Sequence, residues 1–144
     1  MMRATDKFQR GTYGKLTDFI EPLFKEEKHG YVREFTKIND VIQMPFVDYS
    51  ELSMDFMHAV HDFVDDHEDF NLRDYFSVLE ESHVELGRES FESTELHKLD
   101  GRTVMAMIVA AVRSERFCDG SYLEFLNSGF FVRCLKRLKE IDEG

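Results

Sequence analysis

One stretch constrains this chain more than any other. Val104 to Val112 (VMAMIVAAV) is its longest unbroken apolar run, bounded by Arg102 and Arg113. A short apolar run fits either a buried strand or a buried helix, and periodicity alone does not separate them. Met105, Ala106, Met107, Ala110 and Ala111 favour helix. Asp100 stands where an N-cap belongs, with Thr103 in the first turn. Arg113 and Arg116 lie where cations suit a helix C-terminus. The β-branched Val104, Ile108, Val109 and Val112 argue more weakly the other way. A helix that is apolar on every side must be covered on most of its surface, and a membrane span needs about 20 apolar residues. The run is therefore read as a core helix over residues 102–116, wrapped by the rest of the chain.

The wrapping elements follow in order. Residues 1–12 are polar and read as a loose arm. Tyr13, Leu16, Phe19, Ile20, Leu23 and Phe24 recur at helical spacing, and Pro22 inside that pattern predicts a kink or two short helices. Residues 31–46 fit either a short helix or a hairpin turning at Asn39-Asp40, with Pro45 closing the segment. Asp48 or Ser50 can cap the next helix, Glu51 serving as the capping-box acid for Asp48. Its apolar stripe is Leu52, Phe56, Met57, Val60, Phe63 and Val64. Asn71 reads as the N-cap of a helix bearing Tyr75, Phe76, Val78, Leu79 and Val84 and ending near Gly87. Arg88 to Leu99 reads as a loop with at most a turn of helix. After a tight turn at Phe117 to Gly120, Ser121 and Glu124 form a capping box, and Ser128 can cap a final helix. That helix buries Phe130, Phe131, Cys134, Leu135, Leu138 and Ile141, with Arg133, Lys136, Arg137 and Lys139 on its wet side. The expected fold is mostly all-α. It is a single domain, 1–144, of five to seven helices around the central one, with any β structure confined to one short hairpin near 31–46.

Charge is unevenly spread. The net is −11, yet residues 48–100 alone carry 16 acidic residues against Arg73, Arg88 and Lys98, a net of −13. This argues against nucleic acid, which selects a basic face, and is compatible with a basic protein partner. The opening MMRATDKFQRGTYGK has no apolar leader stretch. The two cysteines, Cys118 and Cys134, are too few for a disulfide scaffold. A cytoplasmic protein with free thiols is expected, with no role at a membrane and either a monomer or a homodimer.

Two clusters carry candidate chemistry. On a helix, His58, Asp62, Asp65 and Asp69 share one face, and pairs one turn apart are spaced to share a divalent metal. No HExxH, CxxC or calcium-loop pattern accompanies them, so no cofactor is predicted, and a solvated acidic face is the simpler reading. On that reading Asp62, Asp65, Asp66, Glu68 and Asp69 are the partner-binding candidates, and His67 is a satisfied core histidine. The second cluster is Arg113 to Gly120. Cys118 precedes a helix N-terminus with Arg113 and Arg116 nearby, features that favour thiolate and hence a nucleophile. The simpler reading is that Phe117 and Cys118 plug the core, Arg116 ties down the turn and Gly120 supplies an unusual backbone angle. The basic residues of the last helix can serve phosphate, or simply the chain's own acidic middle. The glycines form neither GxGxxG nor GxxxxGK.

Two blocks resemble a family of uncharacterised bacterial proteins. The first is Met44, Pro45 and Phe46 followed by Tyr49 and Ser50. The second is Arg113, Arg116, Phe117, Cys118, Asp119 and Gly120, then Gly129 and Leu135 to Leu138. Arg73 to Asp100 carries no part of the pattern. The resemblance implies a bacterial or phage origin and a shared fold, with no activity attached. The sequence therefore favours a non-catalytic interaction protein with an acidic surface. The alternative is a small metal- or cysteine-dependent enzyme using the His58–Asp69 face or Cys118.

Overall fold

The computed structural model describes residues 11–33, 36–38, 41–43 and 46–144. Most of the loose arm expected over 1–12 and the turn expected at Asn39-Asp40, like Pro45, lie outside the described residues. Pro22 divides the first helical pattern into α1 (Gly14–Thr17) and α2 (Ile20–Lys25). Pro22 is the third residue of α2, where a backbone N–H has no intrahelical acceptor, so the ring is tolerated there while the break falls before it. Leu16 and Leu23 are buried, but Phe24, expected on the same stripe, is exposed beneath the Lys136 ammonium.

The described residues between 30 and 49 form the hairpin. Strand β1 (Gly30–Arg33) pairs antiparallel with β4 (Phe46–Tyr49), and β2 (Thr36–Ile38) with β3 (Val41–Gln43). One offset runs through both ladders, from Gly30 opposite Tyr49 to Ile38 opposite Val41, so the four strands are one arm. A polar cluster fixes its base. Ser50 N–H and the Ser53 hydroxyl both donate to His29 O, while the Ser50 hydroxyl donates to Glu26 Oε1, 2.8 Å from His29 Nδ1.

Ser50 also caps α3 (Glu51–Asp66), accepting from Ser53 N–H. Asp48 is not the cap. It lies in β4 and holds Arg33 at 2.8 Å. The buried stripe of α3 is Ser53, Phe56, Val60, Phe63 and Val64. The next helix differs from the expectation. Asn71 takes a left-handed conformation (φ 55°) between two 3₁₀ turns, Glu68–Phe70 and Leu72–Asp74. Asp74 caps α4 (Tyr75–Glu81) instead, because two turns must pass before the chain can enter a helix. That helix stops six residues short of Gly87, with His83 at φ 59° just beyond it. Arg88 to Leu99 holds more structure than expected: α5 (Arg88–Ser93) buries Phe91, which stacks on Phe130.

Then comes α6 (Gly101–Arg113). Its cap is Asp100, accepting from Thr103 N–H at 2.9 Å. No residue from Val104 to Val112 is more than 5% exposed. The covering is shared by α3, α4, α7 (Ser121–Ser128) and α8 (Phe130–Glu143), as a helix without a polar side requires. The last two helices form the expected pair, with Phe130, Phe131, Cys134, Leu135 and Leu138 buried. Arg137 departs from the wet side. It is largely buried and donates through Nε and Nη2 to Leu99 O, satisfying a carbonyl at the end of a 3₁₀ turn. Described core residues from Tyr13 to Leu138 make one contiguous cluster, so the architecture is mostly all-α with one hairpin arm.

The Asp100 cap carries a testable pH dependence. Hydrogen bonding from Thr103 holds the Asp100 carboxyl below the ordinary carboxylate range, with Arg102 adding to the effect. A depressed folded-state pKa stabilises above the unfolded value and loses that contribution as pH falls through the folded one. Asp100→Ala is expected to cost about 1 kcal/mol near neutrality. Its melting temperature should converge on that of the parent protein in acid, as followed by circular dichroism between neutral pH and pH about 3.

Candidate functional site

The expected His58–Asp69 face does not run continuously. His58, Asp62 and Asp65 are exposed on α3, but that helix ends at Asp66 and Asp69 sits in the following 3₁₀ turn. Asp65 is held by Arg73. Asp62, Asp66, Glu68 and Asp69 are exposed and form no ion pair among the described residues. Among those residues no three His, Cys, Asp or Glu side chains come together to hold a metal ion. His67 is half-buried. Its ring stacks on Phe63 with centroids 3.9 Å apart, and Nδ1 lies 3.1 Å from Phe63 O.

The Arg113–Gly120 segment also differs from its simpler reading. Phe117 is 82% exposed and Cys118 is exposed, so neither plugs the core. The 3₁₀ turn Ser114–Arg116 carries the chain outward before it re-enters at α7. The turn is tied down by Glu115, not Arg116. Glu115 Oε1 accepts from Gly120 N–H and Tyr122 N–H, both at 3.0 Å, and its carboxylate meets the Tyr49 hydroxyl. A carboxylate fits there because the first N–H groups of α7 have no acceptor of their own. That also explains why Ser121, expected as the cap, lies inside the first turn, with Gly120 ahead of it at φ 91° as expected. Burial, followed by the contact with Glu115, pushes the Tyr49 hydroxyl pKa up. Cys134 is buried, and desolvation raises its thiol well above the ordinary range.

Arg113, at the end of α6, is half-buried. The Arg113 guanidinium lies 6.0 Å from the centre of the Tyr75 ring, and its Nε is buried without a hydrogen-bond partner. Partial burial lowers the His61 pKa, and the positive fields of Arg113 and Arg116, with His58, lower it further; Asp65 opposes them. The basic side of α8 is largely internal chemistry. Arg133 pairs with Glu92 at 2.7 Å and donates to Ser128 O, so the chain's own acidic middle is its counterpart.

Sequence reasoning missed an apolar surface. Phe76 and Leu86 are 55% and 49% exposed. With Leu79, Glu80, His83, Val84 and Glu85 they line an open groove of about 570 Å³. Leu86 also borders a smaller cavity of about 150 Å³ walled by Tyr75, Phe91, Phe117 and Phe125. Phe76 belongs to α4 as expected, but Val78 and Leu79 take the core face of that short helix and leave it on the flank.

No curated protein and no solved structure matches the chain. A family model does match, over residues 11–144, nearly its whole length and all of the elements described above. The chain therefore belongs to the family of unknown function DUF6508.

Proposed function

We propose that the chain is a non-catalytic interaction protein, which offers the acidic groove beside α4 to a basic, amphipathic segment of a partner protein. The observation that carries this is the groove itself. Exposed Phe76 and Leu86 stand beside Glu80 and Glu85, and His83 is the one other titratable side chain on the wall. An exposed apolar patch rimmed by polar and charged residues is the anatomy of a docking surface. Its acidic rim would steer and orient a cationic partner. Asp62, Asp66, Glu68 and Asp69, which form no ion pair among the described residues, broaden the same field. A cytosolic setting and a bacterial or phage origin complete the reading, the first resting on the free cysteines and the second on the resemblance in residues 44–63 and 112–138.

The test uses a helical peptide with leucines on one face and lysines on the other, followed by fluorescence anisotropy. Binding is expected at low ionic strength and should weaken severalfold near 0.5 M salt, where the screening length falls to roughly 4 Å. Phe76→Ser and Leu86→Ser should each abolish it without moving the melting temperature, since both side chains are exposed. Binding that ignores salt and survives both substitutions would reject the proposal.

A further inference from the structure

Four helices converge on the cavity of about 150 Å³ beside Leu86. Tyr75 opens α4, Phe91 lies in α5, Ala110 in α6 and Phe125 in α7. Phe91, Ala110 and Phe125 are buried and form the inner wall, while Phe117 and Leu86 are exposed at the rim. An apolar cavity of about 150 Å³ holds one benzene-sized ring. Aromatic walls suit such an occupant, which they meet edge-on or offset. The wall carries one charged side chain, Arg88, and Glu124 holds it at 3.0 Å. An occupant therefore meets no unpaired charge there, and a neutral one fits. The polar part of the wall is a pair of hydroxyls. Ser114 Oγ lies 2.6 Å from Ala111 O and 2.7 Å from Ser121 Oγ. A carbonyl only accepts, so the one Ser114 hydrogen goes to Ala111, and Ser121 must donate to Ser114. Both hydrogens are spent. Ser121 Oγ accepts from no described residue, and its lone pairs are left over.

We propose that this cavity binds a small, neutral aromatic molecule carrying one hydrogen-bond donor, a phenol in its simplest form. The ring lies between Phe91 and Phe125, and its hydroxyl donates to Ser121 Oγ. Few polar groups fixing the orientation of an otherwise apolar ligand is the common anatomy of a small-molecule site. The cavity shares Leu86 with the groove beside α4 but none of that groove's acidic residues. Either proposal can fail without the other.

The experiment titrates phenol into the full chain, with toluene as a ring of similar size that has no donor. NMR follows the amides of Ser114 and Ser121 and the intermolecular NOEs. Saturable binding at millimolar concentration is expected for phenol, with NOEs from its ring to Phe91 and Phe125. Ser121→Ala, at a half-buried position, should weaken phenol about fivefold, the worth of one neutral hydrogen bond, and should not weaken toluene. Phe76→Ser should leave phenol binding as it is, which separates this site from the groove. N-acetyltyrosinamide is the second arm. Binding tighter than that of phenol would assign the cavity to a tyrosine side chain of a polypeptide and overturn the inference. So would phenol shifts that do not saturate, NOEs confined to Phe76, or a Ser121→Ala variant that weakens both ligands alike or neither.

Discussion

Ile108→Asp is expected to leave the protein unfolded at room temperature, while Asp65→Asn moves the melting temperature by only about a degree. Ile108 is fully buried at the middle of α6, where the helix is covered by α3, α4, α7 and α8. A carboxylate there has no partner. It must either stay charged in an apolar interior or take up a proton, and both cost several kcal/mol on top of the packing lost. Domains of this size are stable by about 5–15 kcal/mol, so one such change removes much or all of the margin. Asp65 is exposed, and its pair with Arg73 is worth roughly 0–1 kcal/mol. Losing one charge from a crowded acidic face offsets part of even that. Urea denaturation of the two variants side by side makes the comparison, and equal losses would contradict the buried position of α6.

Gly101→Ala is expected to destabilise by about 2 kcal/mol, against the direction that helix propensity alone predicts. Alanine in place of glycine favours a helix by roughly 1 kcal/mol. Here a Cβ would stand 2.0 Å from the Tyr13 hydroxyl oxygen and 2.8 Å from the adjoining ring carbon. The ring cannot simply swing away. Tyr13 is buried, stacks on Phe63 with centroids 5.7 Å apart, and donates its N–H to Asp142. Overpacking a filled site costs about 1–3 kcal/mol, and displacing Tyr13 adds the contacts that anchor α1. Placing Gly101→Ala in a Tyr13→Phe background should recover part of the loss, because the closest atom is gone. An Ala variant as stable as the parent in thermal melts would show that Tyr13 is not fixed against α6.

These outcomes also mark what the amino-acid order made legible. The central helix, its Asp100 cap and the stripes of α3 and α8 follow from periodicities long enough to be unambiguous. Helix α5 does not, because its single buried residue, Phe91, finds its partner Phe130 far along the chain and a lone aromatic has no period. The caps at Asp74 and Glu115 depend on turns that decide which N–H groups are left over, so Asn71 and Ser121 looked equally suitable. The same limit applies to the candidate sites. Arg113 and Arg116 could be named as neighbours of Cys118, but Ser114 and Ser121 could not be paired, since that requires knowing how the turn between α6 and α7 folds back. Phe76 and Leu86 were invisible as a groove because exposure depends on the face that α4 turns to the core.

The way α6 is enclosed has a consequence for how the protein comes apart. Each of its flanks is sealed by a different neighbour, so no single one of them peels off without wetting part of the central rod. Opening on the way to full denaturation is thereby restricted to perimeter pieces such as α5, while the amides of residues 104–112 exchange with solvent only when the whole domain melts at once.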